Sequence, residues 1–73
     1  MDRATIEPAI KIILSEMHGK LGEAARIAKA ASACAATGAV SEAVAVSIDI
    51  EQLIYEAGRL GDAASLLNRI LRE

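Results

Sequence analysis

Gly19-Lys20-Leu21-Gly22-Glu23-Ala24-Ala25 and Gly58-Arg59-Leu60-Gly61-Asp62-Ala63-Ala64 are, residue by residue, the same heptapeptide in chemical terms. They lie 39 residues apart (58 − 19), a spacing within the range of helical repeat units. Read as a turn, each segment has a glycine able to close a helix in the left-handed conformation, at Gly19 and Gly58, and a cation beside the carbonyl end, at Lys20 and Arg59. Leu21 and Leu60 then fill the corner of a hairpin. Glu23 and Asp62 fall in the first turn of the next helix, where free N–H groups favour an acid. Read as continuous helix, each glycine costs about 1 kcal/mol, and the chain becomes a two-helix rod that pairs into a dimeric bundle. Two glycines three apart, occurring twice, favour the turn.

The turn reading predicts an all-α chain of four helices forming two helix-turn-helix units. The units cover about residues 5–37 and 40–73 of one domain spanning 1–73. The first helix, about Thr5 to His18, repeats Ile6, Ala9, Ile10, Ile13, Leu14 and Met17 at helical spacing, with Pro8 in its first turn. The second, about Glu23 to Ala36, offers the small surface Ala24, Ile27, Ala28, Ala31, Cys34 and Ala35. Thr37-Gly38 ends it, and Ser41 caps a third helix that runs to about Ala57. The fourth, Asp62 to Leu71, buries Ala63, Ala64, Leu67, Ile70 and Leu71.

Seventy-three residues lie near the lower limit at which one hydrophobic core holds a fold together. One cysteine and one histidine leave no disulfide and little for a metal site. With one Tyr, no Phe or Trp, and Ala dominant, the apolar faces are thin. A second copy of the chain would supply the missing buried surface, so homodimerisation is the leading structural expectation. The net charge of −2, with cations scattered singly, excludes the basic footprint of a nucleic-acid binder. The first residues lack the order of a signal peptide, and the Ala-rich stretch from Ala30 to Ile48 is too weakly apolar for a membrane span. The expected setting is the cytoplasm, with a reduced thiol.

The third helix carries, besides its main face of Val40, Ala43, Val46, Ile50, Leu53, Ile54 and Ala57, a second stripe of Val44, Ile48 and Tyr55. Ile12 and Leu66 also stand away from their helices' apolar centres by the 3.6-residue period. These five residues are the candidate partner surface. The alternative is ordinary exposure or wider burial within the chain.

The run Leu53-Ile54-Tyr55-Glu56-Ala57-Gly58-Arg59-Leu60-Gly61-Asp62-Ala63-Ala64-Ser65-Leu66-Leu67-Asn68-Arg69-Ile70-Leu71 resembles a tetratricopeptide repeat, and the resemblance extends over about residues 44–71. Tyr55 precedes the turn glycine by three, Ala63 takes the small crossing position, and Leu67 and Ile70 take later packing positions. The first half matches through Gly19, Leu21, Ala24 and Ile27. The family's tryptophan-like and closing proline positions are missing, and the offset exceeds its usual 34. The resemblance implies a scaffold or chaperone that binds peptides or helices.

Catalytic chemistry is absent from the pattern. His18, beside Gly19, reads as a helix-end residue interacting with carbonyls, and Cys34 on an Ala-rich face as a buried small hydrophobe. The acids are mostly single, and no phosphate loop, paired-cysteine motif or Ser-His-Asp set can be assembled. The sequence therefore predicts no enzyme, no cofactor, no metal and no small-molecule substrate. It predicts a helical protein-protein interaction module, homodimeric or bound to another protein. The alternative is a secretion-type co-chaperone or small structural subunit that is stable only beside a larger partner.

Overall fold

The computed structural model describes residues 2–73. It is all-helical and has two helices where four were expected: α1, Arg3–Ala36, and α2, Val40–Arg72, joined by a three-residue turn into an antiparallel hairpin. The hairpin measures 54 × 14 × 12 Å between Cα atoms. Both glycine heptapeptides lie inside helix, so neither is a turn.

The physical reason is the phase of the apolar residues. From Ile6 the inward positions of α1 advance by alternate steps of four and three, through Ile10, Ile13, Met17, Lys20, Ala24, Ile27 and Ala31 to Cys34. All of these are buried or half-buried. In α2 the series is Ala43, Val46, Ile50, Leu53, Ala57, Leu60, Ala64, Leu67 and Leu71, and only Val46 of these is exposed. A seven-residue repeat of this kind is the seam of a left-handed coiled coil. It passes through Gly19–Gly22 and Gly58–Gly61 without slipping. Breaking either helix would recover about 1 kcal/mol per glycine, but it would lose the shared register on both sides. The remaining halves would be close to the length at which isolated helices are marginal.

Two contacts fix the register. Lys20 Nζ lies 3.5 Å from a carboxylate oxygen of Glu56, and a Cβ at Gly61 would lie 3.5 Å from the Met17 sulfur. In this register Ala24 is level with Leu53 and Ile13 with Ala64, so at these layers a small residue stands opposite a large one, while Ile27 is level with Ile50. The core is thin. Besides Ile6 and Leu53, its buried residues are the alanines 24, 31, 43, 57 and 64.

The ends of the helices correct further details. Asp2 caps α1, its side chain accepting from the Ala4 N–H at 3.2 Å, so Pro8 falls in the second turn rather than the first. Thr37-Gly38 does end α1: Gly38 adopts φ 95°, and its N–H donates to the Ala35 carbonyl at 3.0 Å. The N-cap of α2 is Ala39, without a side-chain hydrogen bond, and Ser41 lies in the first turn. Cys34 is half-buried rather than buried, its thiol donating to the Ala39 carbonyl across the turn at 3.5 Å. His18 is mid-helix and exposed, not at a helix end.

Candidate interaction surface

Seven-residue numbering assigns every side chain to a side of the hairpin. In an antiparallel pair, the positions just outside the seam meet their counterparts along each long edge. On one edge α1 contributes Glu7, Leu14, Leu21, Ala28 and Ala35, and α2 contributes Val40, Ser47, Ile54, Gly61 and Asn68. On the other α1 contributes Asp2, Ala9, Glu16, Glu23 and Ala30, and α2 contributes Glu42, Asp49, Glu56, Ala63 and Ile70. The Lys20–Glu56 ion pair lies toward the second edge, and the Met17 sulfur lies close to where a Cβ at Gly61 would stand, toward the first.

The hairpin therefore has an apolar long face and an acidic one. Leu14, Leu21, Val40 and Ile54 on the apolar face are exposed large hydrophobics. Val44 borders it on α2, and Gly58 nearby has nothing within 4 Å of a Cβ built on it. On the acidic side Lys20 and Glu56 form an ion pair, and a shallow open groove is lined by Glu16, Lys20, Tyr55, Glu56, Arg59 and Leu60. There an Arg59 guanidinium nitrogen donates to the Tyr55 hydroxyl at 3.4 Å, and the Arg59 guanidinium carbon lies 6.0 Å from the Tyr55 ring centre. Lys20 and Arg59, read as helix-closing cations, act in these side-chain contacts.

All five candidate residues, Ile12, Val44, Ile48, Tyr55 and Leu66, are exposed, between 53% and 65%. Val44, Ile48 and Tyr55 form a stripe on the outward back of α2, and Leu66 continues it toward the C-terminal end. Ile12 lies on the outward back of α1, separated from the others by the width of the hairpin. The structure thus brings four of the five onto one helix back and does not bring Ile12 to them. A 3.6-residue period over short segments places Leu14 and Ile54 on the main faces of their helices, and the turn reading places Leu21 in a hairpin corner. Counting sevens from Ile6 moves them to the edge.

Among the described residues, no group of three or more His, Cys, Asp or Glu is placed to hold a metal ion. No helix of the described residues is long and apolar enough to cross a membrane. No family model, no curated protein and no solved structure matches this chain.

Proposed function

We propose that this chain is a helical protein-protein interaction module, dimeric with itself, that works by presenting apolar helix faces rather than by catalysis. The observation that carries this reading is the exposed area. The hairpin leaves 5299 Å² accessible, whereas a compact monomer of 7.6 kDa exposes about 4,300 Å² by the usual mass scaling. The excess is about 1,000 Å², and ten large hydrophobic side chains contribute to the exposed surface. Exposed large hydrophobics on an elongated hairpin are the kind of surface that a protein contact covers. The unpaired Cys34 suits a reducing compartment such as the cytoplasm.

The thin core also supports a second reading, a co-chaperone or small subunit folded only beside a larger protein. Sedimentation and circular dichroism of the purified chain separate the two. A helical species heavier than 7.6 kDa is expected of the self-associating module. An unfolded monomer would favour the dependent subunit, and a fully helical, stable monomer would contradict both.

A further inference from the structure

We propose that two copies of the chain pair face to face through the apolar long face, centred on Leu21 and Ile54, to form a four-helix bundle. This rests on the reading of the chain as a self-associating interaction module and names the face that it uses. The area is of the size that a second copy needs. Each chain exposes about 1,000 Å² beyond a compact monomer of its mass. A face 54 Å long and two helices wide, about 20 Å, covers about 1,000 Å² per copy. Together the two copies bury about 2,000 Å², where permanent homodimer interfaces begin.

Charge decides which face is used. Glu16, Glu23, Glu42, Asp49 and Glu56 on the opposite face would meet the same acids of a like copy, five acids against Lys20 among them and Arg26 and Arg59 at their border. The apolar face has its charges, Glu7, Lys11, Glu51 and Arg72, at its rim and ends, the arrangement of a dry interface centre with a polar border. Leu21 and Ile54 each lie within about one turn of the middle of their helices. They therefore stand near the two-fold axis whether the second copy places its turn beside or opposite the first. Gly61 beside Ile54 keeps this centre low, so the second pair of helices can approach closely.

The test compares Leu21→Glu, on the face, with Ile48→Glu, on the outward back of α2. The wild-type chain is expected to sediment at about twice 7.6 kDa, and Ile48→Glu with it. Leu21→Glu is expected to weaken association about a hundredfold or more, the scale of losing a central anchor residue. Helicity falls with the dimer, so a second measurement keeps folding apart from contact: in a Cys34→Ser background, a short bis-maleimide should join two copies of Leu21→Cys and not two copies of Ile48→Cys. A dimer that survives Leu21→Glu, is lost in Ile48→Glu and cross-links only from the Ile48→Cys chain would overturn the face assignment and leave the interaction module standing. A helical chain that sediments at 7.6 kDa would overturn both.

Discussion

Gly58 and Gly38 put the same residue type to opposite uses, and one substitution at each shows it. Gly58 lies inside α2 with open space where a Cβ would stand, so alanine there removes a helix penalty without meeting a neighbour. Gly58→Ala should stabilise the hairpin by about 0.5–1 kcal/mol, which in a chain of this size raises Tm by about 2–8 °C. Gly19→Ala, equally unobstructed, should do the same. Gly38 holds φ 95°, where a Cβ is strained, and Gly38→Ala should cost about 1 kcal/mol. Thermal melts of the three variants at one protein concentration check the signs. Destabilisation by both Gly19→Ala and Gly58→Ala would mean that those glycines sit in left-handed turns, and α1 and α2 would each have to be cut in two.

At the scale of the helices, the all-α class and the break at Thr37-Gly38 were legible in the sequence, since alanine dominates and a glycine follows the last apolar position of α1. The four-helix architecture was an error with a definite cause. Local propensity at the glycine heptapeptide favours a turn, and a 3.6-residue period fits short segments as well as long ones. The evidence for continuity is longer-range: Met17, Lys20 and Ala24 keep the step of the residues before and after them, and so do Ala57, Leu60 and Ala64. Lys20 at an inward position obscured that series, because its partner Glu56 is 36 residues away and only the fold pairs them. Continuous helices imply that the amides of Gly22 and Gly61 are hydrogen-bonded as firmly as those of Ala24 and Ala63. Amide exchange should find them protected to within about tenfold of these neighbours, allowing for the local weakness of glycine. Exchange at the rate of an exposed loop in either segment would mean a break. Of the interaction surface, the α2 stripe of Val44, Ile48 and Tyr55 was visible as surplus apolar character. The Leu21–Ile54 face was not, because it is a property of two helices in register.

For the whole molecule the question is where a chain whose core is mostly alanine obtains its stability. Hydrophobic burial contributes about 25 cal/mol per Å², and α1 and α2 bury few large side chains against each other. A second copy laid on the apolar face adds about 1,000 Å² of burial per chain and places Leu14, Leu21, Val40 and Ile54 out of water. Folding is then coupled to association, and stability depends on protein concentration, with each tenfold dilution withdrawing about 1.4 kcal/mol from the folded dimer. The most direct measurement is the thermal melt of the wild-type chain, followed by circular dichroism over a hundredfold range of concentration. The account predicts a single loss of helicity whose midpoint rises by several degrees from the most dilute sample to the most concentrated. A midpoint that stays fixed across that range would contradict it and would make the lone hairpin the stable form.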